Sequence, residues 1–161
     1  FNSDGAMWMA GLGEYVLKDK GFKKISVIAE DYSFPYTQVF GFAIGYCRAG
    51  GQIAQRQWVP LGTKDFGSVI ANIPDDVDAV FLGLGGGDAV NFLNQYSQTG
   101  GKAKFIGGSI MVDQTVLSSK GAAKRLLVGT PSSGGVADAW DDPRWKAWVK
   151  TYQEAFPADK R

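Results

Sequence analysis

The stretch Ile25-Ser26-Val27-Ile28-Ala29-Glu30-Asp31-Tyr32-Ser33-Phe34-Pro35-Tyr36 decides the fold. Its first five residues form the short, near-continuous apolar run of a strand buried on both faces. A helical pattern from about Tyr36 to Arg48 follows directly. Four further runs read as strands: Gln52–Val59, Ala79-Val80-Phe81-Leu82, Lys104-Phe105-Ile106-Gly107 and Leu126-Leu127-Val128-Gly129. Strands alternating with helices at this spacing make βαβ units. Right-handed crossovers wind such units into an α/β fold, a doubly wound open parallel sheet of about five strands with helices on both faces. Residues 1–161 are expected to form one such lobe.

The helices carry their own start and stop signals. Asp4 caps a helix with Trp8, Leu12 and Tyr15 on its apolar face, ended by Gly21. The helix to Arg48 is expected to turn Val39, Phe40, Ala43 and Cys47 inward, with Gly50-Gly51 as its stop. Cys47, the single cysteine, then reads as a buried thiol without an intrachain disulfide. Thr63 or Asp65 starts a short helix through Val69 and Ile70, and Asp88 opens one carrying Val90, Phe92, Leu93 and Tyr96. Asp142-Pro143 pairs a capping carboxylate with proline at the first helical position. The stripe Trp145, Trp148, Tyr152 and Phe156 that follows reads as core.

Composition removes several function classes. Seventeen Lys and Arg against 16 Asp and Glu leave a net charge of +1 without a basic block, so no footprint for nucleic acid or an anionic membrane surface is present. Histidine is absent, which leaves Ser33, Ser109 and Cys47 without an ordinary base and makes a transition-metal site improbable. No Gly-x-Ser-x-Gly elbow occurs. Gly83-Leu84-Gly85-Gly86-Gly87-Asp88 imitates a phosphate loop but places Asp88 at the sixth position and follows the third strand, where a dinucleotide fingerprint needs glycine and the first. Glu30-Asp31 imitates the acidic pair of a phosphoacceptor domain, yet Gly83 and Thr130-Pro131 stand where that chemistry needs aspartate and lysine. The pair therefore reads as turn-forming carboxylates at a helix entrance. No catalytic residue, metal or cofactor is expected.

In an open α/β sheet, ligands sit beyond the carboxyl ends of the strands. The segments to consider are 30–36, 60–65, 83–88, 108–113 and 130–135. Once the catalytic motifs are set aside, they offer Tyr32, Ser33, Phe34, Tyr36, several glycines, Ser109 and Met111. This composition suits a surface that grips an organic molecule without transforming it.

Several stretches together resemble the type I periplasmic solute-binding proteins of ABC transporters, of the branched-chain amino acid and amide-binding kind. They are Ile28 through Pro35, Gly50-Gly51-Gln52, Val59-Pro60-Leu61-Gly62-Thr63-Lys64-Asp65-Phe66, Asp78-Ala79-Val80-Phe81, Phe105-Ile106-Gly107-Gly108-Ser109 and Asp142-Pro143. The resemblance runs from about Asp4 to Phe156 and implies the second of two lobes that clamp a solute. It implies that the first lobe of the same polypeptide is missing, in keeping with the absence of a leader before Phe1 and the stop at Arg161. It also implies a periplasmic location, or lipid anchoring outside a Gram-positive cell, and a membrane permease as partner.

Carried over by position, Phe34 falls where relatives place an aromatic against the solute, with Tyr32 and Ser33 beside it. Gly85 and Gly86 fall where many relatives carry a bulky aromatic, which implies a roomier pocket. Ser109 falls where amino-acid binders carry an acidic residue for the ammonium group. A buried ammonium without a partner costs several kcal/mol, so the expected solute is an aromatic or other organic carboxylate, or an amide, rather than a free amino acid. Two alternatives use the same scaffold: a ligand-sensing domain of a regulator or receptor, and an enzyme.

Overall fold

Apolar side chains on both faces of the central strands dictate where the helices pack. The computed structural model describes residues 4–134 and 140–157. The ends of the chain, Phe1-Asn2-Ser3 and the residues from Ala158 to Arg161, lie outside them, as does Gly135 of the last candidate segment. Four strands, β1 (Lys24–Glu30), β2 (Gln52–Val59), β3 (Ala79–Gly83) and β4 (Lys104–Gly107), form one sheet in the order β2-β1-β3-β4. Every pairing is parallel, so all carboxyl ends meet at one edge.

Alternation along the strands divides the core in two. Val27 and Ala29 of β1, Phe81 of β3 and Ile106 of β4 face a layer made by α1 (Gly5–Trp8), α2 (Leu12–Lys18) and α3 (Ser33–Arg48). Met9, Leu12, Val16, Phe42 and Tyr46 complete that side. Ile28, Val80, Leu82 and Phe105 face the opposite layer, with α4 (Gly67–Ala71), α5 (Gly86–Tyr96), α6 (Gln114–Leu117) and α7 (Gly121–Leu127). Phe66, Phe92 and Tyr96 fill this second core as an aromatic cluster with Phe105. The doubly wound α/β class is as expected, with four strands among the described residues rather than about five.

The fifth expected strand is a helix. Leu126 and Leu127 close α7 and pack half-buried against the second core, because Ala122-Ala123-Lys124-Arg125-Leu126-Leu127 is built of strong helix formers. A trace of the fifth strand survives further on, where Ser132 makes a single parallel bridge to Gly107.

Two helical faces also differ from expectation. Asp4 caps α1 as expected, its carboxylate accepting from Met7 N–H at 3.0 Å. Gly11, at φ +85°, then breaks the helix and restarts it as α2, which leaves Tyr15 exposed. On α3, Pro35, Gln38, Val39, Phe42 and Tyr46 are the buried residues, while Phe40 and Cys47 are exposed. The buried thiol is thus corrected to a surface one. Asp142 caps α8 (Pro143–Ala155), accepting from Arg144 N–H at 2.7 Å, as the Asp-Pro pair predicts. The stripe on α8 is not core: no residue of the helix is buried, and its rings stack along the helix at 5.0, 5.3 and 4.9 Å.

The layer of α1 and α2 lies on α3 at glycine contacts. A Cβ on Gly13 would stand 2.4 Å from the Phe42 carbonyl oxygen and 2.5 Å from Tyr46 N. Both atoms are backbone, so only a shift of the whole helix relieves the clash. Gly13→Ala is expected to destabilise the fold by about 1–3 kcal/mol, the usual cost of overpacking, read as a lower urea midpoint at unchanged slope.

Candidate functional site

At the carboxyl edge three carboxylates hold the loops in place. Glu30 ends β1, is 2% exposed, and accepts a hydrogen bond from Gly85 N–H at 2.9 Å. Gly86 N–H donates to Asp113 Oδ2 at 2.9 Å, and Asp113 Oδ1 accepts from Val116 N–H at 3.0 Å to cap α6. Asp88, in the first turn of α5, accepts from Gly62 N–H at 2.6 Å. The physical reason is local: Gly85 is the N-cap of α5 and has no side chain to cap with. Amide groups at the start of α5 therefore need acceptors from elsewhere in the chain, and anionic acceptors suit the positive end of a helix.

These groups border a cavity of about 390 Å³ lined by Glu30, Tyr32, Gly62, Gly85, Asp88 and Asp113, among others. Gly86 adopts φ +46° and a Cβ there would meet nothing within 4 Å, so the glycine loop leaves open space. Burial pushes the Glu30 carboxyl above the ordinary carboxylate range, and the charges of Asp88 and Asp113 push the same way. The Gly85 amide and the Tyr32 hydroxyl, which hydrogen-bonds Glu30, oppose that shift. Tyr32 is itself pushed up by burial and by the neighbouring carboxylate. A larger cavity, about 700 Å³, opens at the other end of the sheet between Ile70, Val77, Tyr96 and Ala103. It lies at the amino ends of β3 and β4, away from the edge where α/β sheets bind ligands.

A second group stands beside the first. Phe34, in the opening turn of α3, meets Trp8 edge-on with ring centroids 5.9 Å apart. Gln38, wholly buried on the same helix, accepts from Ser109 N–H through Oε1 at 2.8 Å. Gln38 Nε2 and Ser109 Oγ are buried without a hydrogen-bond partner among the described residues. A Cβ on Gly108 would lie 2.5 Å from Gln38 Oε1, so glycine is required for this approach. Ser132 Oγ donates to the Gly108 carbonyl and Ser133 Oγ to that of Trp8, which draws the segment after α7 across the same edge.

The expected site residues therefore separate. Tyr32, Gly85 and Gly86 line the cavity; Ser33 and Phe34 open α3 beside it. Ser109 lies on the loop after β4 but is 5% exposed, its backbone tied to Gln38. Met111 is 2% exposed within the second core, so its side chain offers no surface to a solute. Glu30 is no turn-forming surface carboxylate: it is buried and bonded to a glycine 55 positions away. Asp113 falls at the end of the expected segment 108–113 without being singled out there, whereas Gln38 and Trp8 lie outside every expected segment and acquire their places through long-range contacts. Among the described residues no three His, Cys, Asp or Glu side chains are arranged to hold a metal.

The pattern of the periplasmic binding protein family matches residues 1–161. The chain belongs to that family. Leu/Ile/Val-binding protein homolog 6 from Brucella melitensis biotype 1 is 27% identical over 143 residues, 88% of this chain and 37% of the relative. An ABC transporter substrate-binding protein from Sphaerobacter thermophilus superposes with a TM-score of 0.80 at 25% identity, over 95% of this chain and 42% of that structure. An ABC transporter solute-binding protein from Rhodopseudomonas palustris BisB5, in complex with 3,4-dihydroxy benzoic acid, superposes at 0.75 and 25% identity, over 95% and 42%. The fold is that of a type I periplasmic binding protein, and the chain spans about two fifths of the length of these relatives.

In this periplasmic binding protein the raised Glu30 carboxyl has a definite pH signature. Its folded value lies above its unfolded value, so its contribution to stability is present below the unfolded value and lost as pH rises through the folded one. Glu30→Gln keeps an oxygen for the Gly85 amide and removes the titration. Urea denaturation between about pH 4 and about pH 7 should show the wild type losing stability relative to Glu30→Gln as pH rises.

Proposed function

We infer that this chain is the gripping lobe of a two-lobed extracytoplasmic receptor that delivers a small organic solute to a membrane permease. The observation that carries this reading is the carboxyl-edge cavity: its loops are tied down by Glu30, Asp88 and Asp113, yet it is largely open to solvent. A shallow surface with its loops held in place suits closure by a second lobe. Membership of the periplasmic binding protein family and the likeness to ABC transporter solute-binding proteins support it. Such a receptor returns its solute unchanged, works in the periplasm or tethered outside a Gram-positive cell, and needs the first lobe of the same polypeptide to complete the clamp.

The proposed solute is an aromatic or other organic carboxylate, or an amide. Phe34 and Tyr32 would pack on its ring, Ser33 and the loop of Ser109 would hydrogen-bond it, and Gly85 and Gly86 leave it room. The uncharged Ser109 supports this choice, as does the relative crystallised with 3,4-dihydroxy benzoic acid. One observation favours a second reading, a free amino acid: the three carboxylates lining the cavity offer a place for an ammonium group. Each of them already accepts a backbone N–H, which weakens that attraction.

Calorimetric titration of the full-length polypeptide with 3,4-dihydroxybenzoate, benzamide and leucine separates the two. One of the first two is expected to bind at least about 100-fold tighter than leucine, a difference of about 2.7 kcal/mol. Tight binding of leucine or valine would assign the carboxylates to an ammonium group and overturn the choice. Thermal-shift measurements on the isolated lobe should show little stabilisation by the same compounds, because half of the clamp is missing.

A further inference from the structure

Gln38 is wholly buried on α3 in line with Pro35, Val39 and Phe42 of the same helix. Two glycines make room for its side chain. A Cβ on Gly5 of α1 would stand 2.7 Å from Gln38 Cγ, and one on Gly108 would stand 2.5 Å from Oε1. Oε1 accepts from Ser109 N–H at 2.8 Å, whereas Nε2 has no hydrogen-bond partner among the described residues. A buried donor left unpaired carries its full desolvation penalty, which an apolar side chain of the same shape avoids. Packing therefore gives no reason for glutamine at this position; the reason lies in what Oε1 holds.

It holds the start of a short 3-10 turn, Ser109–Val112, whose N-cap Gly108 has no side chain to offer. The turn is fixed at three points. Ser109 N–H bonds to Gln38, the Met111 side chain sits in the second core, and Asp113 at its end accepts from Gly86 N–H. Ile110 and Asp113 line the carboxyl-edge cavity, and a Cβ on Gly85 would stand 3.4 Å from Ile110 Cβ across it. Gln38 also follows Phe34 by four residues on α3, so the two are neighbours one turn apart. Helical side chains lean toward the helix N-terminus, which for α3 is the carboxyl edge of the sheet. One side chain thus ties the helix that carries Phe34 to the wall built by Ile110 and Asp113.

We propose that Gln38 is a positioning residue for solute binding, its hydrogen bond to Ser109 setting the spacing between Phe34 and the Ile110–Asp113 wall. Wholly buried, it does not touch the solute. A wall already in place spares the solute the cost of ordering it, which raises affinity. This assignment rests on the reading of the cavity as the solute site and is independent of which solute class fills it.

Two variants of the full-length polypeptide test it. Gln38→Met keeps the length of the side chain and removes the acceptor; Gln38→Glu keeps an acceptor oxygen at the same reach. In Gln38→Met, hydrogen exchange of the Ser109 amide is expected to be at least about 10-fold faster than in the wild type. The Gly86 amide, held by Asp113 at the far end of the turn, should accelerate with it, while the Gly85 amide, held by Glu30, keeps its rate. Gln38→Glu should restore slow exchange at Ser109. In calorimetric titrations with 3,4-dihydroxybenzoate, benzamide and leucine, the compound that the wild type binds best should bind Gln38→Met at least about 10-fold more weakly. The urea midpoint should not change, because methionine removes one unpaired donor, Nε2, and leaves another, Ser109 N–H. Unchanged affinity in Gln38→Met overturns the proposal, and an affinity loss that comes with a lowered urea midpoint assigns Gln38 to the fold and overturns it too. A wild type that binds none of the three compounds overturns the choice of solute instead. Unchanged exchange at Ser109 and Gly86 overturns the positioning role whatever the solute.

Discussion

The hydrogen bond from Gly85 N–H to the buried carboxylate of Glu30 joins the ends of the two central strands, and the carboxyl edge is organised around it. α5 begins at a glycine that has no side chain to cap with, so its first amide groups must find acceptors outside the helix. Glu30 supplies one from the end of β1 and Asp113 another from the N-cap of α6, and Asp88 ties the loop after β2 to the same place. The glycine loop is consequently open in shape yet fixed in position. That combination is what a binding surface needs: space for a ligand without the entropic cost of ordering a loose loop on binding.

The burial that makes this arrangement rigid also gives it an electrostatic character. Burial raises the Glu30 carboxyl above the ordinary carboxylate range, and the charges of Asp88 and Asp113 add to the same direction. Beside this acidic cavity lies a second surface of different chemistry, where Phe34 and Trp8 present aromatic edges and Gln38 anchors the Ser109 loop. An aromatic acid or amide and a free amino acid make opposite demands on these two surfaces. The choice between them is therefore one of charge more than of shape.

Much of the architecture was legible because it is carried by local patterns. Apolar runs long enough for strands, and helices bounded by Asp4, Asp142-Pro143 and paired glycines, needed no knowledge of distant contacts. The misreadings have physical causes. Leu126-Leu127 is too short an apolar run to separate strand from helix, and the Ala, Lys and Arg before it decide the matter. The inward face of α3 was misplaced because the helix is apolar on more than one side, so periodicity gives no phase; Phe40 and Cys47 were read inward where Phe42 and Tyr46 lie. Gln38 is polar yet wholly buried on the inward face of α3, where it accepts from the backbone of a residue 71 positions away.

Sequence alone determined the α/β class, the parallel alternation, the segments at the carboxyl edge and the resemblance to solute-binding proteins. Each of these rests on residue spacing within one element or one loop. Tertiary structure alone decided which carboxylates enter the cavity, that Met111 belongs to the core, and that Tyr36, Phe40 and Ile44 remain outside. Those outcomes depend on how the strands and helices pack. A hydrogen bond across 55 residues, or a helix flank left uncovered by its neighbours, leaves no periodic trace in the chain.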